Sequence, residues 1–136
     1  MNDLDYVQGV VDLLAQRGVK VWVFGGWAEQ LLGIDVPRRH VDLDLLYPAE
    51  SFAAVDALDL PWIDARRFPH KRAFAHEGVP VELFLVRRDE RGYFTDMPRG
   101  RHRWPDDVLF GVHGLRVAGP QSVSGFRAAY RYLRAA

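Results

Sequence analysis

Apolar residues recur along this chain with two different periods, and the switches between them mark out alternating helices and strands. Val7, Val10, Val11 and Leu14 fall at i, i+3, i+4 and i+7 ahead of Gly18, which predicts an amphipathic helix over residues 3–17. Residues 19–24 read as a first strand, Gly25-Gly26 as a turn, and Ala28, Leu31 and Leu32 as one face of a short helix ending at Gly33. Residues 37–40 are loop, and residues 41–47, between Pro37 and Pro48, form a second strand. Phe52, Val55 and Leu58 predict a helix over 49–59, with short strands at 62–66 and 71–76 and a longer one at 79–86 after Gly78. Residues 87–107 collect charge and turn formers, so a long loop is expected there. One more strand is expected within 108–118, centred on Leu115 to Val117. Phe126, Tyr130 and Leu133 predict a last helix from about residue 121 to 134. The alternation points to an α/β (α+β) fold, a mixed β-sheet flanked by helices, as one domain over residues 1–136.

Composition narrows the classes. A chain of 136 residues, 49% hydrophobic and 26% charged, is neither disordered nor collagen-like. The absence of cysteine removes disulfides, thiolate nucleophiles and cysteine zinc sites. The N-terminus carries acids where a signal peptide carries bases, and no apolar run approaches the ~18 residues of a membrane span, so a cytoplasmic protein is expected. Net charge is zero but unevenly placed: residues 1–86 hold 8 basic and 13 acidic side chains, residues 87–136 hold 10 and 5. Such a dipole suits an acidic metal-binding half facing a basic half that meets phosphate, and surface variation alone gives the same asymmetry.

The second strand poses the chemical question. Asp42 and Asp44 interrupt its apolar run and, at i and i+2, share one face, while Val41, Leu43 and Leu45 take the other. Two carboxylates ~7 Å apart along a strand can grip a divalent cation from one side. Unpaired they would repel, so either a cation or one of Arg38 and Arg39 should lie between them. Gly25-Gly26 between strand and helix either lets backbone amides approach an anion or is only a tight turn. It is neither G-x-G-x-x-G nor a Walker loop. Glu82, among Val81, Leu83 and Leu85, faces away from the core with Phe84 and Val86; if its strand neighbours the Asp42 strand, three carboxylates converge.

In this order, Phe24-Gly-Gly-Trp-Ala28, Arg38-x-His40-x-Asp42-x-Asp44 and Glu82 resemble the nucleotidyltransferases of the polymerase-β superfamily. The resemblance covers about residues 5–134 and is greatest to the minimal group that includes the aminoglycoside 2″- and lincosamide nucleotidyltransferases. Arg116-Val-Ala-Gly-Pro120 leading into the last helix also resembles that group, with Arg127 standing where a lysine is common. The resemblance implies a polymerase-β-like fold and transfer of a nucleoside monophosphate from a triphosphate such as ATP to a hydroxyl, with release of pyrophosphate. It further implies that Gly25 and Gly26 hold the triphosphate with Arg38 and His40 nearby, and that Asp42, Asp44 and Glu82 are catalytic residues and ligands of two Mg²⁺ ions, with Mn²⁺ as the alternative metal.

Two departures qualify that expectation. The third acid in such enzymes is more often Asp than Glu. Antibiotic-modifying members usually carry a further helical region, so here the acceptor must be held by residues 87–107, a second subunit or a partner protein. Protein AMPylation or RNA modification of the toxin–antitoxin kind, and a non-catalytic nucleotide- or partner-binding role, stand as alternatives. His70, His76, His102 and His113 show no zinc spacing and read as surface or loop residues. Arg99-Gly-Arg-His-Arg-Trp104 reads as a substrate-facing or solvated loop rather than a nucleic-acid footprint. The four tryptophans read as packing residues, with Trp27 also placed to stack on a base.

Overall fold

The computed structural model describes residues 2–111 and 114–134. Asp3 caps helix α1 (Leu4–Gln16), its side chain accepting the Tyr6 N–H at 2.9 Å, and the stripe Tyr6, Val7, Val10, Val11 and Leu14 is buried. After α1 come β1 (Trp22–Phe24), α2 (Gly25–Leu31), β2 (Leu43–Pro48), α3 (Ala53–Asp56), a 3-10 turn at Asp64–Arg66, β3 (Lys71–His76) and β4 (Val79–Asp89). The chain continues through β5 (Gly92–Met97), β6 (Gly100–Arg103) and α4 (Pro120–Leu133).

The strands form a six-stranded sheet in the order β1-β2-β4-β5-β6, with β3 also paired to β4. β2 and β4 run parallel and the other pairs antiparallel, so the sheet is mixed, as the alternation of periods implied. In the β2–β4 register Leu43 faces Val81, Asp44 faces Glu82, Leu45 faces Leu83 and Leu46 faces Phe84. Because side chains alternate, Leu43, Leu45, Val81 and Leu83 share one face, and Asp44, Leu46, Glu82 and Phe84 share the other. α4 packs on that second face: Phe126 lies edge-on to Phe24 at 5.1 Å and to Phe84 at 6.3 Å, and stacks on Trp104 at 5.4 Å.

Several expected boundaries are corrected. The segment 87–107 is not a long loop: β4 runs on to Asp89, and β5 and β6 continue the sheet. Its charges pair across the strands, Arg103 with Asp89 at 2.6 Å and Arg101 with Asp96 at 2.6 Å, and Arg101 lies 3.8 Å over the buried Phe94 ring. The helix expected over 49–59 contracts to Ala53–Asp56, because Leu58 and Leu60 close into tight turns, their N–H groups bonding Val55 O and Leu58 O. Residues 62–66 give the 3-10 turn and a lone bridge from Trp62 to Phe74 instead of a strand. Val41 is 80% exposed and precedes β2 instead of joining its apolar face. Of the strand expected within 108–118, the described residues keep isolated bridge positions at Leu115 and Val117, the latter parallel to Val23 and supported by Val23 N–H to Arg116 O at 2.7 Å and Ala118 N–H to Val23 O at 2.9 Å. Residues 112 and 113 lie outside the described residues.

α4 has no cap from its own N-cap residue, Gly119. Asp107 supplies it from a distance: its carboxylate accepts the Gln121 N–H at 2.8 Å, the Ser122 N–H at 3.0 Å and the Ser122 hydroxyl at 2.6 Å. A Cβ on Gly119 would lie 2.4 Å from that carboxylate, so the helix starts where only glycine fits. Among the described residues no helix is long and apolar enough to cross a membrane.

Candidate active site

Parallel pairing of β2 and β4 makes Asp44 and Glu82 register partners, with Asp42 just before β2. The three acids line a cleft of about 510 Å³ together with Gly25, Gly26, Arg66, Lys71 and Arg127. β4 thus lies beside the Asp42–Asp44 segment, as convergence of the acids required.

Placed this closely, the carboxylates cannot all be charged without a counter-charge. Burial, followed by the charge of Glu82 and a hydrogen bond shared with it, holds the Asp44 carboxyl well above the ordinary carboxylate range. The cations come from residues that no local pattern marks out. Arg66 donates to Glu82 Oε1 at 3.1 Å and lies 3.7 Å from Asp42 Oδ2, and Lys71 Nζ donates to Glu82 Oε1 at 3.4 Å. Arg38 and Arg39, the expected neutralisers, are not the partners: Arg38 bonds Asp35 at 3.3 Å.

The glycines are explained by the acids. A Cβ at Gly25, where φ is +60°, would lie 2.3 Å from Asp44 Oδ2, and one at Gly26 would lie 2.6 Å from the Arg38 guanidinium and 2.9 Å from His40 Nδ1. Neither Arg38 nor His40 lines the cleft. His40 is buried under Trp27, ring centroids 4.4 Å apart, with Gln30 Oε1 2.8 Å from its Nε2, and burial followed by the Arg38 charge lowers its pKa. Trp27 is accordingly a packing residue. Its indole N–H donates to Asn2 Oδ1 at 2.9 Å, and the Asn2 amide donates to His40 O at 3.0 Å and Asp42 O at 3.1 Å. Asn2 therefore ties α2 to the backbone that carries Asp42.

Across the cleft, Arg127 of α4 is ion-paired to the buried Glu29 of α2. Glu29 carries no signal in the sequence, because an acid in a short helix is ordinary. Of the other histidines, two depart from a surface role: His70 is buried between Phe68 and Phe84, and His102 packs against Trp104 and Phe126. His113 lies outside the described residues.

Fit to a divalent ion can be tested on the donors themselves. Asp42 Oδ1 is buried without a hydrogen-bond partner, and Asp44 is held toward its protonated form by its neighbours, both of which a cation would relieve. Among the described residues, however, no three His, Cys, Asp or Glu side chains are gathered around one point closely enough to hold a metal. Arg66 and Lys71 occupy Glu82 instead. Asp42 and Asp44 by themselves match the one or two carboxylates that usually hold Mg²⁺, an ion whose remaining ligands are commonly water or phosphate oxygens.

Comparison with known proteins agrees with this architecture. The family model for aminoglycoside-2″-adenylyltransferase matches residues 6–60. The lincosamide antibiotic adenylyltransferase LnuA, in its lincomycin-bound structure, superposes with a TM-score of 0.71 at 16% identity, covering 94% of this chain and 87% of that one. ANT(2″)-Ia in complex with adenylyl-2″-tobramycin superposes with a TM-score of 0.61 at 18% identity, covering 93% of this chain and 76% of that one. Among curated proteins none matches. The chain thus has the nucleotidyltransferase fold and, over residues 6–60, is similar in sequence to the aminoglycoside-2″-adenylyltransferase family.

Proposed function

We propose that the protein is a metal-dependent nucleotidyltransferase that moves a nucleoside monophosphate from a nucleoside triphosphate to a hydroxyl of a small-molecule acceptor. The observation that carries this reading is the register pairing of Asp44 with Glu82 beside Asp42, on the wall of one cleft. The lincomycin and adenylyl-2″-tobramycin bound by the two relatives support a small-molecule acceptor over a protein or RNA.

In this reading Asp42 and Asp44 hold Mg²⁺, with Mn²⁺ as the substitute, and Glu82 completes the site. The ions would neutralise the triphosphate and polarise the attacked phosphorus. The acceptor hydroxyl oxygen bonds to the α-phosphorus, the bond from that phosphorus to the bridging oxygen breaks, and pyrophosphate leaves with the electron pair. Glu82 receives the hydroxyl proton as Arg66 and Lys71 turn from it toward the phosphates. Gly25, Gly26 and Arg127 line the same cleft, where they would meet the triphosphate. Arg38 and His40 act at one remove by fixing Gly26. The test is calorimetric titration of nucleoside triphosphates with and without Mg²⁺, joined to a pyrophosphate-release assay with hydroxyl compounds. Triphosphate binding that ignores Mg²⁺ and is unaffected by Asp42→Asn with Asp44→Asn would refute the reading.

A further inference from the structure

We infer that the body of the acceptor sits in a second cavity beside the carboxylate cleft, and that this cavity selects neutral or anionic aromatic alcohols over polyamines. The inference rests on the transferase reading and adds a substrate class to it. The cavity, of about 550 Å³, shares Lys71, Phe84 and Tyr130 with the cleft, so a molecule seated in it can present a hydroxyl directly to the acids. Its other walls come from the loop before β3, the β5–β6 turn and the end of α4, through Phe68, Pro98 and Arg134.

The lining is aromatic and cationic. Phe68 and Phe84 flank His70 at 5.7 and 6.2 Å between ring centroids, Lys71 Nζ lies 5.5 and 5.7 Å from the two phenyl centroids, and Phe68 is exposed, so an entering aromatic body meets an open ring beside a cation. Among the described residues no group hydrogen-bonds the His70 ring, so it is available to a polar substituent. Asp96 is the one acid in the lining, and both its oxygens are held by Arg101, at 2.6 and 3.0 Å. A polyamine entering here would meet Lys71 and Arg134 with only the Arg101-held Asp96 to pair with, whereas a neutral or anionic ring meets two cations and one carboxylate that is already ion-paired.

The test uses the full chain without metal or nucleotide. Anilinonaphthalene sulfonate, an anionic aromatic probe, is titrated by fluorescence, with naphthol and tobramycin as competitors. The account expects saturable binding at one site, displacement by naphthol and none by tobramycin. Because Phe68 and Pro98 are exposed, Phe68→Asp and Pro98→Asp should fold, as circular dichroism would show, and each should weaken the probe by roughly tenfold. No saturable binding, displacement by tobramycin, or an affinity held within about twofold in both variants would overturn the inference. Mg²⁺-triphosphate titration of the same two variants reads the carboxylate cleft separately, so failure of the acceptor cavity is told apart from failure of the transferase reading.

Discussion

Gly25 and Asp44 are packed so closely that a methyl group on the glycine would stand 2.3 Å from the carboxylate oxygen Oδ2. The Gly-Gly turn and the acidic pair, sixteen residues apart at their nearest, are therefore one structural unit: the first glycine makes room for the second acid. A requirement for glycine here follows from the protein's own packing before any phosphate is considered.

Gly25→Ala should accordingly damage both stability and triphosphate binding. The positive φ alone costs about 1–2 kcal/mol, and the methyl group must also push Asp44 out of line. Gly33→Ala is the control, since Gly33 has φ +72° with open space around its Cβ position. Thermal melts should fall in both variants, while Mg²⁺-triphosphate affinity should fall by roughly tenfold or more only in Gly25→Ala.

Asp44→Asn should stabilise the metal-free protein in a pH-dependent way. The Asp44 carboxyl is raised in the folded state, so the fold binds that proton more tightly than the unfolded chain does. Its contribution is whole below the ordinary value of 3.8 and is lost as pH rises through the raised value. The variant lacks that loss. Its melting temperature should exceed that of wild type by a margin that widens between about pH 5 and pH 9, and added Mg²⁺ should close the gap by stabilising wild type alone. A margin independent of pH would contradict the raised carboxyl.

Asn2→Ala removes three hydrogen bonds at once, from Trp27 and to the carbonyls of His40 and Asp42. A destabilisation of about 1–3 kcal/mol is expected by chemical denaturation. Hydrogen exchange should quicken at the start of β2 but not in α4.

Asp107→Ala should uncap α4, at about 1–2 kcal/mol. Because α4 carries Phe126 and Arg127 to the cleft, the loss should appear as faster amide exchange in its first turn and as weaker triphosphate binding. Asp107→Asn, which keeps an acceptor oxygen, should recover most of it.

The parts legible in the sequence were those written in local periodicity. The stripe of α1, the apolar runs of β2 and β4, and the i, i+2 spacing of Asp42 and Asp44 each depend on neighbours a few residues away. The hairpin at 87–107 was hidden because its strands are held by Arg–Asp pairs and by arginines over Phe94, so cations stand where alternation is usually sought. Arg66, Lys71 and Glu29 were hidden for a different reason. Their partners, Glu82 and Arg127, lie 11 to 98 residues away, a separation that no local pattern encodes.

The most direct measurement is calorimetric titration of the protein with nucleoside triphosphates, with and without Mg²⁺, in wild type and in the Asp42→Asn, Asp44→Asn double variant. The account predicts Mg²⁺-dependent binding in wild type and its loss in the double variant with the fold intact by circular dichroism. Binding that is equal with and without Mg²⁺, or that survives in the double variant, would contradict it.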